Sequence, residues 1–391
     1  MVAIGTPLRL LRVFPDLVWG FGRGSAIDLK ARYLEVQTWF AGLPVYGGAV
    51  HSADYPPASY ATLWPFLGWL PLAQARWLWA ATILIGLGCL AYAVTRADKA
   101  ATTSQWLFVA LLPFAVYPTT ANIVLGQLTI HCLASLMAGL LLLHSGQGRW
   151  WEDALAAGLF IVALAKPTVS GPFFWLVLFL PGRLRPSAFV LLGYAALTLF
   201  AASFQDASLL ELLKGWRGQE SQISVHEGHA NLSGWLLAIG FKKAILPAAL
   251  LTLLALGAWV WRHRKVDFWL LAGVTGLVTR LCVHHRAQDD LLILLPMIAL
   301  MRLAKQAPAL DGADVTAGLL FALTWMTMLA PVDLLLRIPA LRPLMAIWLG
   351  VLWLTTLLFL LGQARKERMG NPGRALQEPS IHAFAKTPIE A

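Results

Sequence analysis

Residues 268–303, FWLLAGVTGLVTRLCVHHRAQDDLLILLPMIALMRL, decide the fold class. Two apolar runs, 268–283 and 291–303, flank a short turn in which His284, His285, Arg286, Asp289 and Asp290 are crowded together. Backbone inside hydrocarbon must satisfy its own hydrogen bonds, so runs of this kind predict helices that cross a bilayer and return. A solvated turn needs one or two polar residues. Five ionisable groups at the mouth of two spans point to a site.

The same pattern extends along the chain. Its 391 residues are 58% hydrophobic and 13% charged, with a mean hydropathy of +0.67, so there are too few charges to cover a soluble surface. An all-α, polytopic integral membrane protein is expected. Further apolar runs at 76–95, 105–118, 128–144, 151–165, 172–181, 187–203, 244–261, 315–330 and 345–361 bring the expectation to about eleven transmembrane helices, or twelve with a weak N-terminal candidate. Residues 1–24 carry Arg9, Arg12 and Asp16 and fit either a poor first span or an interfacial helix; no small-residue cleavage site follows, so removal is not expected. Residues 25–57 form a polar extracytoplasmic loop, 58–362 the multispanning domain with an external loop at 204–243, and 363–391 a disordered cytoplasmic tail. Residues 58–71, cut by Pro65 and Pro71, suit a short re-entrant or surface helix.

The formal net charge of +10 comes as short clusters between apolar runs, at Arg96 and Lys99, Arg149, Arg183 and Arg185, Arg262 to Lys265, Arg302 and Lys305, and Arg365 to Arg368. That is how a membrane protein sets its orientation, with the basic loops cytoplasmic, and it argues against nucleic acid as a partner. Many of the 18 tryptophans stand at span ends, as an aromatic belt places them. Cys89, Cys132 and Cys282 form no CxxC pair and imply no disulfide.

Residues 25–57, SAIDLKARYLEVQTWFAGLPVYGGAVHSADYPP, are where chemistry is expected. Asp28, Arg32 and Glu35 share one face of a helix running to about Gly42, and Tyr55, Pro56 and Pro57 close the segment stiffly. Asp28 fits either an N-cap or a general base. Lys166 fits either a snorkelling cation or a point charge for a lipid phosphate. Asn122 and Gln127, uncharged at membrane depth, suit hydrogen bonds to hydroxyls or helix capping, and Asn231 or Ser233 suits a cap after the 204–230 stretch. His and Asp residues in the 284–290 turn leave a divalent cation as a minor option, but no second cluster completes a coordination set.

Taken in order, the Asp28 motif DLKAR, the GLPVY turn, YPP, LGQ, AKP, NLSG and HHRAQDDLLILLP resemble bacterial glycosyltransferase family 87, over residues from about 28 to 300. The resemblance implies a C-type glycosyltransferase architecture in the bacterial inner membrane, with the active site extracytoplasmic. It implies an external acid in the first large loop, here Asp28, and transfer of a mannose- or arabinofuranose-like sugar from a polyprenyl phosphate to a glycan or glycolipid. Gln288 stands where the family pattern has an aromatic residue.

A polyprenyl phosphate leaves readily and needs its charge stabilised, unlike the leaving group of a glycoside hydrolase, which must be protonated. One base and a few cations therefore suffice. Asp28 is the candidate base and Arg286, His285 and Lys166 the candidate phosphate ligands, with Arg32, Tyr55, Asn122, Gln127, Asn231, Asp289 and Asp290 as candidate substrate contacts. Inversion at the sugar carbon follows from a single displacement. Two alternatives stay open: a flippase or transporter of lipid-linked sugar, and a non-catalytic assembly partner.

Overall fold

The computed structural model describes residues 2–20, 25–47, 53–98, 102–220, 231–282, 285–305, 312–329, 338 and 340–370. His284, most of the tail expected at 363–391 and the middle of the external loop lie outside the described residues. Among the described residues every regular element is helical. The N-terminal half runs α1 (Val2–Trp19), α2 (Ile27–Phe40), α3 (Pro57–Leu67), α4 (Leu72–Asp98), α5 (Thr103–Ala115), α6 (Tyr117–Leu125), α7 (Thr129–Ser145) and α8 (Trp150–Ala163). After it come α9 (Pro167–Ser170), α10 (Phe174–Phe179), α11 (Arg185–Ala202), α12 (Leu209–Glu220), α13 (Leu232–Ala238), α14 (Ile245–His263), α15 (Phe268–Cys282), α16 (Leu294–Ala304), α17 (Ala313–Leu329) and α18 (Arg342–Gly370).

This is a polytopic membrane architecture, and among the described residues fewer single helices are long and apolar enough to cross than the eleven or twelve expected from the apolar runs. Four helices among the described residues, α4, α11, α14 with the turn before it, and α18, are long and apolar enough to span a bilayer. A fifth forms if α5 and α6, bent by 43° at their junction, act as one broken span. The remaining apolar helices, including α7, α15 and α17, have 10–17 residues. At about 1.5 Å per residue such helices fall short of the hydrocarbon thickness. Proline accounts for part of the segmentation: Pro118 follows the break after α5, and Pro167 and Pro172 open new short segments.

The centre of the protein is α15, buried along nearly its whole length between α14, α16 and α18. A 3₁₀ turn, Ala287–Ile293, links it to α16 and packs on α6 and α7. Helix ends that bear the basic clusters meet away from this turn. Arg302 bonds the carbonyl of Ala97 and the carboxylate of Asp267, whose own amide donates to Glu367. Arg183 and Arg185 converge on the buried Asp153.

Helix α2 lies along the candidate site because both its ends are fastened. Its apolar face, Leu29, Val36 and Trp39, is buried, with Trp39 stacked on Tyr60 of α3 and its indole N–H donating to the carbonyl of Ala201 at 2.8 Å. At the other end the amide of Ala26 donates to the carbonyl of Val124 at 2.7 Å. Gly126 ends α6 in the left-handed region, φ +70°, and a Cβ there would lie 2.6 Å from the Cβ of Leu29. Only glycine allows that turn and that approach.

Gly126→Ala is therefore expected to cost about 1–2 kcal/mol from backbone conformation alone, with the clash added. Gly88→Ala, in open space on α4, serves as control. Thermal unfolding in detergent would show Gly126→Ala clearly below Gly88→Ala; equal midpoints would contradict the packing of α6 on α2.

Candidate active site

The site is built around the turn at 285–290, where two buried carboxylates are held by cations on two other elements, Lys166 of α9 and Arg280 of α15. Lys166, at the start of α9, places Nζ 2.5 Å from Oδ1 of Asp289 and 3.1 Å from Oγ1 of Thr129. Thr129 donates to the same carboxylate at 2.7 Å. His285 is fully buried, its ring nitrogens 3.3 Å from Oδ2 of Asp289 and 3.1 Å from the carbonyl of Thr279. Burial alone would raise Asp289, but Lys166 and then His285 hold it well below the usual carboxylate range.

Asp290 is tied in the same manner, receiving hydrogen bonds from Arg280 of α15 and from the hydroxyl of Tyr117. Asn122 is buried on α6 and donates to the carbonyls of Pro118 and Gln288, both at 2.8 Å, so its amide pins the backbone of the turn. The amide of Arg286 faces Oδ2 of Asp289 at 3.4 Å, while its side chain is exposed. The turn is thus a rigid buried frame that presents Arg286 at its surface.

Asp28 reaches this frame from α2. The N-cap of α2 is Ala26 and no side chain caps the helix, which corrects the capping role expected for Asp28. Its carboxylate instead accepts a hydrogen bond at Oδ2 from Gln127, 2.7 Å away. Burial pushes Asp28 above its ordinary value, against the hydrogen bond from Gln127 and the nearby charges of Arg32, Lys166 and Arg286, all of which pull it down. Ala26 precedes it in the left-handed region, φ 51°, a conformation that costs a non-glycine residue roughly 1–2 kcal/mol. Such strain persists only where surrounding contacts impose it, here the bond to Val124.

Beside Asp28 on α2, Arg32 bridges Glu35 at 2.8 Å and Asp54 at 2.9 Å, with its guanidinium 4.3 Å from the ring centroid of the buried Tyr55. This fixes Tyr55 and the following prolines to α2. Glu35 is buried, and desolvation, partly offset by Arg32, raises its carboxyl to about 7.

Among the candidate residues, Asp28, Gln127, Lys166, His285, Arg286, Asp289, Asp290 and Asn122 are brought together. Arg32 and Tyr55 stand one helical turn or more away. Asn231 is spent on α13, where its side-chain oxygen accepts from the amide of Gly234 at 2.8 Å; among the described residues no hydrogen bond joins it to the cluster. Among the described residues no three His, Cys, Asp or Glu side chains are grouped to hold a metal ion. Sequence reading missed Arg280, Thr129 and Tyr117. Arg280 carried a signal, since a lone arginine inside an apolar run must find a partner; a threonine and a tyrosine carry none.

Two outcomes follow from these charges. Lys166→Met and Asp289→Asn each strand a buried charge or break its bonds, and each should cost roughly 3–5 kcal/mol, with the double variant losing clearly less than the sum. Simple additivity in thermal or denaturant unfolding would deny the pair. For Glu35, the folded protein favours the protonated form, so its contribution is fully present below about 4.5 and is lost as the pH rises through about 7. Glu35→Gln should flatten stability across that window while Arg32 keeps Asp54; an unchanged pH slope would show that Glu35 is not the group responsible.

The sequence model of glycosyltransferase family 87 matches residues 54–285, more than half of the chain. That stretch contains Tyr55, Asn122, Gln127, Lys166 and His285 and stops short of Asp28 on one side and Arg286 on the other. Comparison with curated proteins and with solved structures finds no match. A helical membrane protein with a frame of buried ion pairs, matched over this length, belongs to glycosyltransferase family 87.

Proposed function

We propose that this glycosyltransferase moves a sugar from a polyprenyl-phosphate donor to a hydroxyl of a glycan or glycolipid, on the extracytoplasmic face of the bacterial inner membrane and within a C-type architecture. The observation that carries the reading is the meeting of one carboxylate, made more basic by burial, with the charges of Lys166 and Arg286. In the proposed step the acceptor oxygen attacks the anomeric carbon and its proton passes to Oδ1 of Asp28, Oδ2 being held by Gln127. The bond from the anomeric carbon to the phosphate oxygen breaks with its electron pair going to the phosphate, so the configuration inverts. Arg286, exposed at the turn, takes the phosphate with forked hydrogen bonds, and Lys166 adds its charge, while His285, buried with both ring nitrogens engaged, positions Asp289 and does not reach the phosphate.

An apolar groove of about 250 Å³ supports a lipid-borne donor. It lies between α3, α4, α7 and α8, lined by Phe66, Ile85, Ala134 and Leu159, and reaches Leu128 and Ala165. Those two residues adjoin Gln127 and Lys166 in the chain. A prenyl chain lying there would bring its phosphate to the cations.

The test is turnover per folded molecule in vesicles supplied with a panel of polyprenyl-phosphate sugars. Asp28→Asn should lower turnover about 10²-fold or more, with the protein still folded. The acidic limb of kcat/KM should lie above the ordinary aspartate value of 3.8, because activity is lost as Asp28 protonates. Arg286→Ala should lose roughly 10²-fold and weaken dependence on the donor, with Arg286→Lys between. Near-normal turnover in Asp28→Asn would remove the base, and an unchanged donor dependence in Arg286→Ala would remove the phosphate contact.

A further inference from the structure

Helix α12 has two unlike faces. Its first turn is closed by Glu211, whose carboxylate takes the amide and hydroxyl of Ser208 at 2.8 and 2.7 Å. One face docks on the loop beside α2: Leu212 is buried, Gly215 lies against the ring of Tyr46, and the indole N–H of Trp216 donates to the carbonyl of Asp54 at 3.0 Å. The opposite face carries Leu210, Leu213, Lys214 and Arg217, at the spacing of three and four that puts residues on one side of a helix. All four are exposed, and among the described residues no ion pair holds either cation.

What covers that face follows from the element before it. The end of the spanning helix α11 exposes Leu199 and Phe200, and Phe204 continues the apolar surface past it, so the edge of the hydrocarbon lies here. Helix α12 begins after a connection of six residues, 203–208, from α11 and packs back against it, and therefore sits at headgroup level. Two leucines with two cations beside them suit the acyl boundary and the anionic phosphates above it. We propose that α12 is an anchor for anionic phospholipid, with Leu210 and Leu213 inserted and Lys214 and Arg217 on the headgroups. Through Trp216 and Asp54 the anchor then sets the height of Arg32 and α2 above the membrane. Only this last consequence rests on the reaction proposed for Asp28.

The experiment uses the full chain with its three cysteines replaced by alanine and Leu210→Cys carrying an environment-sensitive fluorophore, in nanodiscs of phosphatidylcholine with increasing phosphatidylglycerol. Emission should shift to the blue as phosphatidylglycerol rises, and a nitroxide placed shallowly in the lipid should quench it. Lys214→Glu with Arg217→Glu should cut the preference for phosphatidylglycerol about tenfold or more, and Lys214→Gln with Arg217→Gln should fall between, at unchanged thermal stability. A label that stays in water in both lipids overturns the anchor. A response equal in neutral lipid and indifferent to the charge changes overturns the anionic headgroup, and a shift seen only on adding another protein assigns the face to that protein. Failure of sugar transfer leaves this readout untouched.

Discussion

The carboxylate of Asp289, closed in by Lys166, Thr129 and His285, is the contact on which the rest of the structure depends. Removing an ionised group from water costs several kcal/mol even after relaxation, and only close opposite charge with full hydrogen bonding offsets it. The requirement fixes three elements at once, because α7 must deliver Thr129, α9 Lys166 and the turn His285 to one point. Arg280, Asp290 and Tyr117 repeat the arrangement beside it. Such pairs add little net stability over an apolar core, yet each forbids arrangements in which its partner is absent.

This constraint also accounts for the broken helices. The irregular backbone at Lys166 and at the 3₁₀ turn frees polar groups that lipid cannot satisfy, so it has to be buried in protein. Asn122 does part of that work by bonding the carbonyl of Gln288. The short helices are thus the consequence of a polar centre that only interrupted backbone can build. Around it, α3, α4, α7 and α8 leave a mostly apolar groove.

Helix α2 is fitted to this frame from outside. The left-handed Ala26, the left-handed Gly126 and the Leu29 contact bring Asp28 to Gln127, and Arg32 ties the same helix to Asp54 and Tyr55. A carboxylate so placed is half-buried, bonded once and faced by cations. The buried Glu35 differs by environment alone: its nearest cation is shared with Asp54, and burial dominates.

Much of this was legible in the residues taken singly. Composition alone demands a helical membrane protein, because 13% charged residues cannot cover a soluble surface. The crowding of 284–290, the acid of the polar 25–57 segment and the polarity of Gln127 and Lys166 within oily sequence mark the candidate site, since polar groups at membrane depth are costly. The helix at 27–40, the short one at 57–67 and the cap at Asn231 follow from local pattern. What only tertiary structure decided is pairing. Nothing near Asp289 in sequence says that its partner is Lys166, 123 residues away, or that Asp290 takes Arg280 in place of Arg286. Nor does local pattern separate Asp28 as a cap from Asp28 as the partner of Gln127, because the cap position was set by a backbone bond to Val124. Apolar runs count helices poorly for the same reason: hydropathy records what lipid or protein interior will accept, and whether a run crosses, bends or stops depends on the polar groups it must meet on the way.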